Sequence, residues 1–269
     1  MLVYALVNAP DVGWGAVRTI VELAAAGALM AAFVINELRT SNPLFPLSIF
    51  RIKGLAAADA TQVIAQAGFL SLFFFITLYM QTVLHMSPIE AGAAYIPVTI
   101  AVGISSGIST QLLPRIGSRP LIVAGTLIGA AGVFLLSRIG ADGSYVADLL
   151  PGLVTMALGL GAVFVGVQNA ANAGVPAEQA GLAAALISAS ATLGGALGLA
   201  ILSAISTSHT HHLLAAHVSR PVALTSGFGS ALLVCSMFLV AAAVIAARTA
   251  STRGEQVPVA EPRAILDAV

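Results

Sequence analysis

The chain has 269 residues with 11 basic and 11 acidic side chains, and 58% of it is hydrophobic against only 8% charged, at a mean hydropathy of +0.99. A soluble domain carries about 25% charged residues, so this composition excludes a water-facing globule and points to lipid as the solvent. The even charge balance leaves no nucleic-acid signature, and the lone cysteine, Cys235, leaves no internal disulfide.

The opening Met1–Val7 is apolar but lacks a basic leader and reaches Pro10 and Asp11 too soon to span. It reads as the tail of a longer helix, not as a signal peptide. A bilayer core needs about 20 apolar residues per helix. Apolar runs at Thr19–Ile35, Ala56–Val83, Ala91–Leu113, Pro120–Ser137, Leu149–Ala171, Ala180–Ile205 and Phe228–Ala247 predict seven full spans and an all-α, polytopic integral membrane bundle. Turn chemistry separates them at Asn42-Pro43, Ser87-Pro88, Ile116–Pro120, Asp142-Gly143 and Val175-Pro176. Residues 1–40 form the stub and one extra span, 41–54 a linker, 55–248 a six-span unit, and 249–269, with Pro258 and Pro262, a polar disordered tail.

Numbering the loops alternately, one side collects Arg39, Arg51, Lys53, Arg115, Arg119, Arg248, Arg253 and Arg263, the other only Arg18, Arg138 and Arg220. That bias puts the C-terminus and the linker in the cytoplasm of a plasma-membrane protein. Trp14 then sits as an interfacial anchor at the outer end of the first span. Glu22, four residues after Arg18, suits a local ion pair. The glycine pairs Gly103/Gly107, Gly125/Gly129 and Gly194/Gly198 each place two glycines on one helix face and allow close backbone approach.

The span Ala56–Val83 holds the candidate site. Asp59, Gln62, Gln66, Phe69, Phe73, Thr77 and Gln81 fall within about a third of the helix circumference. Such a stripe is costly against lipid and is expected to face the bundle interior or a water-filled cavity. Amides beside aromatic rings suit bulky, partly apolar or cationic substrates; interhelical hydrogen bonding without substrate is the alternative. Asp59 has two readings, a proton-exchanging carboxylate or a boundary carboxylate close to Arg51 or Lys53. Tyr95, the cluster Gln168, Asn169 and Asn172, and the pair Ser188 and Thr192 are further wall candidates. His209, His211, His212 and His217 read as an exposed outer loop without a metal, since no cysteine or acid stands beside them. No phosphate-cradling loop and no nucleophile–base set occurs, so neither an ATP-driven pump nor an enzyme is expected, and no cofactor.

Three stretches carry a family resemblance: Leu44–Arg51 with the span ending Leu78-Tyr-Met-Gln81; Leu113–Pro120 leading to Gly125; and Gly174-Val-Pro176 with Ala180–Ala183 and Leu193–Gly198. In that order they resemble the 14-span drug:proton antiporters of the major facilitator superfamily, the EmrB/QacA type. The resemblance implies that the stub and first span are the extra helix pair between the two halves of such a transporter, and that the last six spans are its C-terminal half. Arg115, Gly117 and Arg119 match a degenerate cytoplasmic loop motif, without its acid and further basic residues. Ala191 and Thr192 stand where the family often has Arg and Gln. Efflux of drugs or other small molecules by proton-coupled alternating access is implied, with the lipid bilayer, substrate and protons as partners. The N-terminal half would be missing, through truncation or a start at an internal Met, or supplied by a second chain. A non-transporting partner or regulatory subunit that keeps the half-transporter fold is the other reading.

Overall fold

The computed structural model describes residues 4–5, 12–13, 15–40, 55–172 and 180–248. The expected linker, the expected tail, Trp14, Arg51, Lys53 and most of the first resembling stretch lie outside the described residues. The helices are α1 (Val17–Arg39), α2 (Leu55–Thr82), the short α3 (Pro88–Ala93), α4 (Ile96–Ile116), α5 (Ser118–Leu136), α6 (Leu150–Asn172), α7 (Ala180–Ala215) and α8 (Arg220–Ala246). A single π-helical turn, Tyr145–Leu149, leads into α6. Among the described residues, seven helical units are long and apolar enough to cross a membrane, with α3 and α4 acting as one and the π turn with α6 as another. That is the count read from the apolar runs.

Local chemistry sets the boundaries. Ser87 and Glu90 form a reciprocal capping box, and Pro88 starts α3 where no backbone donor is needed. Gly117 alone joins α4 to α5, at φ 84 and ψ 169, a conformation that an L side chain resists. Arg18 Nε meets Glu22 Oε1 at 3.0 Å, the pair that their spacing suggested. Helix α1 is buried only at Thr19 and Glu37.

The last two helices correct the expected layout. The histidines were expected in a loop, but His209, His211 and His212 belong to the final turns of α7, and α8 begins at Arg220, well before Phe228. Helix α7 has 36 residues, roughly 54 Å at 1.5 Å per residue, against a hydrocarbon core of about 30 Å. Its end stays helical because it packs on α8. Thr210 Oγ1 donates to Ala223 O at 3.4 Å, His209 Nε2 and Ser226 Oγ lie 3.0 Å apart, and Gly227 lets α8 lie against Ser206 and Thr210. Only residues 216–219 connect the two helices.

The core is apolar, built on Phe69, Leu72, Phe75, Ile76, Tyr79, Ile122, Leu136, Leu153 and Met156. Glycines set the helix spacing. Gly159 on α6 faces Gly125 O and Gly129 N on α5; Gly132 on α5 faces Met156 N and Gly152 O. Gly194 and Gly198 press α7 onto Val63 and Ala67 of α2. Gly103 and Gly107 do not fit that scheme: their face of α4 is open, with nothing within 4 Å. Long-range polar ties finish the ends. Tyr79 Oη donates to Gly140 O at 2.7 Å, and Tyr145 Oη to Ala94 O at 2.6 Å.

The helix ends sort as alternating spans require. Arg119 and Pro120, at the start of α5, share a cavity with Ala247 after α8, while Arg138 and Asp142, after α5, share another with His209 and Val222.

Candidate substrate pathway

The face of α2 that carries the stripe adjoins its most exposed face, marked by Leu70 and Phe74. Along the stripe, Gln62, Gln66, Phe73, Thr77 and Gln81 are half-buried, whereas Asp59 and Phe69 are buried. Phe69 is 2% exposed, and its ring lies where a side chain on Gly129 would have to go, so it packs α2 onto α5. Phe73 and Thr77 meet Tyr95 at the break before α4. The Thr77 and Tyr95 hydroxyls lie 2.8 Å apart, Tyr95 Oη donates to Phe73 O at 3.1 Å, and the two rings tilt at 59° with centroids 5.5 Å apart. This end of the stripe is therefore a fixed polar–aromatic joint between α2 and α4.

The amides behave differently. The side chains of Gln62, Gln66 and Gln81 make no hydrogen bond among the described residues. An unpaired amide on a membrane span costs free energy against hydrocarbon, and the cost falls only where water or a polar ligand reaches it. Their half-exposed positions meet that condition if this face lines a hydrated path.

Asp59 lies toward the other end of the stripe and is 5% exposed. Ser190 Oγ of α7 donates to its Oδ1 at 3.3 Å, and Oδ2 has no hydrogen-bond partner among the described residues. A buried carboxyl with one oxygen bonded and one free is rare on a membrane helix, because each unsatisfied polar atom there is penalised. Ser190 was not singled out from the sequence. It stands 131 positions away, and its only local sign is a hydroxyl on the face of α7 that also carries Gly194 and buried Ile187.

The remaining candidates do not join this set. Asn172 Nδ2 donates to Gln168 O at 2.7 Å, within the last turn of α6, and Asn169 is half-buried beside them. Thr192 Oγ1 donates to Ser188 O at 2.9 Å on the exposed face of α7, away from buried Ser190. Arg115 and Arg119 are exposed on either side of Gly117.

The chain matches the model of the Major Facilitator Superfamily over residues 10–199. It belongs to that superfamily. Among curated relatives, it is 36% identical to "Puromycin resistance protein pur8" of Streptomyces alboniger, over 84% of this chain and 45% of that protein. It is 36% identical to "Tetracenomycin C resistance and export protein" of Streptomyces glaucescens, over 77% of this chain and 38% of that protein. It is 33% identical to "Multidrug resistance protein Stp" of Mycobacterium tuberculosis, over 82% of this chain and 41% of that protein. The chain thus spans less than half the length of these relatives. As a superfamily member with seven apolar spans among the described residues it is a multi-pass membrane transporter-family protein and not an enzyme.

Proposed function

We propose that this chain forms the C-terminal half of a proton-driven exporter of drugs or related small molecules in the plasma membrane. The 14-span type explains α1 as part of an extra helix pair ahead of the half-bundle. The observation that carries the proposal is the face of α2, where the unpaired amides of Gln62 and Gln66 adjoin a buried, half-satisfied Asp59. On this assignment the amides and Phe73 contact substrate, while Asp59 takes and releases the proton, with Ser190 holding one oxygen in place. Alternating access in such a fold needs a second wall. An N-terminal half, in the same or another polypeptide, supplies it against the open faces of α4 and α7. The similarity to resistance and export proteins over most of this chain supports the substrate class.

The test pairs the membrane-inserted chain with the N-terminal half of the puromycin-resistance relative and measures puromycin accumulation in energised cells. The paired halves should lower accumulation, and collapse of the proton gradient should restore it; the chain alone should leave accumulation unchanged. Gradient-dependent efflux by the chain alone would replace the two-half arrangement with a working homodimer. The excess of Arg and Lys at the loops on the C-terminal side supports a cytoplasmic position for that side. Cysteines introduced at Ser208 and Ser251, in a Cys235→Ala background, should then label from outside and inside respectively.

A further inference from the structure

At the end of the bundle opposite the C-terminus, a cavity of about 370 Å³ opens between α2, α7 and α8. That size is at the lower end of ligand cavities, about 300–1,000 Å³, and suits a molecule of one or two rings. No stripe residue of α2 touches it; its α2 wall is the neighbouring face, with Phe74, Phe75 and Leu78. Arg220 and His211 stand at it, both exposed, and no acid lines it among the described residues. Arg220 forms no ion pair among the described residues. It is also the first residue of α8, whose first turn holds no acid and whose N-cap, Ser219, makes no side-chain capping bond. The cation and the positive end of the helix dipole therefore act together without a counter-charge.

The α7 wall adds an independent sign of a ligand. Ser203, Ser206 and Thr207 line the cavity, and their hydroxyls make no hydrogen bond among the described residues. Hydroxyls on the same helices bond a carbonyl of the preceding turn elsewhere: Thr82 Oγ1 donates to Leu78 O at 2.7 Å and Thr192 Oγ1 to Ser188 O at 2.9 Å. Ser206 is only 4% exposed, yet its oxygen, unlike that of Thr225, is not sealed off. The floor is aromatic. Phe74 and Phe75 meet edge to face with centroids 5.4 Å apart, and Phe75 lies 6.0 Å from Phe228. Phe228 follows Arg220 by roughly 12 Å along α8. An inorganic anion would leave the rings bare, and a neutral hydrocarbon would leave the cation and the hydroxyls unpaired. A flat apolar body with a negative end meets all three.

We propose that this cavity binds a small aromatic carboxylic acid as its anion. Arg220 takes the carboxylate through its guanidinium donors, the arrangement that gives the strongest hydrogen bonds to such a group. Thr207, the hydroxyl of the three nearest that end of α7, donates to the same carboxylate, and Ser203 and Ser206 meet polar substituents deeper on the ring. The ring lies against Phe74, Phe75 and Phe228, where aromatic packing adds to simple burial. The site is separate from the amides and Asp59 of the stripe, so it gives the chain a second ligand with a different charge preference.

Isothermal titration of the full chain in neutral maltoside micelles with 2-naphthoate and its uncharged counterpart 2-naphthamide tests this. The wild type should bind the acid at least about tenfold more tightly than the amide. Arg220→Gln should bring the two within about twofold, and Arg220→Lys should recover part of the preference. Thr207→Val should weaken the acid several-fold, Thr207→Trp should fill the cavity and block both ligands, and Arg138→Gln, at the neighbouring cavity, should change nothing. Thermal unfolding of each ligand-free variant guards against misfolding. Equal binding of acid and amide by the wild type, or an unchanged preference in Arg220→Gln at wild-type thermal stability, overturns the carboxylate assignment. Displacement of naphthoate by acetate at the same concentration overturns the aromatic floor. Displacement by dodecanoate at a concentration about tenfold lower assigns the cavity to an acyl chain and overturns the aromatic ligand.

Discussion

Gly103/Gly107 and Gly125/Gly129 have the same spacing on neighbouring helices and opposite surroundings. On α5, the backbones of Gly125 and Gly129 lie against Gly159 on α6, so close that neither Gly159 nor Gly125 has room for a side chain, while one on Gly129 would meet Phe69 of α2. On α4, Gly103 and Gly107 face open space beside Ile100, Ile104 and Ile108, all more than half exposed. Helix α4 reaches α6 with its other face, through Val98, Ala101, Ser105, Ser109 and Leu113; Ser105 Oγ donates to Leu158 O at 2.5 Å. Small residues spaced by four show that a helix can be approached closely. They do not show from which side a neighbour in the same chain comes, and α4 keeps its smoothest face free.

The sharpest break of this comparison is Gly159→Ala. The added methyl would overlap Gly125 O and Gly129 N, which are backbone atoms and cannot rotate away. We expect a loss of about 3 kcal/mol, at the upper end of ordinary overpacking, read as reduced resistance to denaturant in mixed micelles. Tolerance within about 0.5 kcal/mol would show that α5 and α6 are not locked by glycine contact.

Smaller effects separate the two ends of the stripe on α2. In a transporter completed by an N-terminal half, Asp59→Asn keeps the Ser190 contact but removes the exchangeable proton. Gradient-driven efflux should drop at least about tenfold, equivalent to 1.4 kcal/mol, with substrate binding kept; unchanged pH dependence of transport removes Asp59 from coupling. Tyr95→Phe deletes the hydroxyl shared by Thr77 and Phe73 O, and should cost about 0.6–1.7 kcal/mol of stability, the span measured for interhelical bonds in membranes. Gln66→Leu has no intramolecular bond to lose. Its stability should stay within about 0.5 kcal/mol while the order of preferred substrates changes. A stability loss as large as that of Tyr95→Phe would place Gln66 among structural residues.

The spans were legible because about 20 apolar residues between turn signals leave few alternatives in lipid, and the expected boundaries Ala56 and Ser137 lie next to the helix ends Leu55 and Leu136. The ends of α7 and α8 were not. Ser206, Thr207, His209 and Thr210 lower the hydropathy, and apolar counting stops where the hydrocarbon stops, whereas the helix continues because α8 stands beside it. The stripe on α2 was legible as a pattern but not as a division of labour. Spacing alone gives Phe69, Thr77 and Gln66 the same standing. Only tertiary contacts show that Phe69 fills the space over Gly129, that Thr77 is tied to Tyr95, and that Gln66 has no tie. Asp59 was legible as an acid in a span, but its relation to Ser190 depends on α7 lying against α2.

The smallest expected effect is also the one that isolates the environment from the spacing. Gly103→Ala places a methyl group where no atom lies within 4 Å. Inside a helix, alanine is favoured over glycine by about 0.5–1 kcal/mol, because glycine gives up more backbone freedom on folding. The substitution should therefore stabilise this chain slightly, opposite in sign to Gly159→Ala, and Gly107→Ala should do the same. When an N-terminal half is added, the sign should reverse if a helix of that half uses this face, since the new methyl groups would then stand in a close helix contact. Denaturant resistance of the variant, measured with and without the second half, distinguishes these cases. A small stabilisation in both leaves the face of α4 to lipid. Destabilisation without the second half would mean that a helix of this chain, or a second copy of it, already covers Gly103.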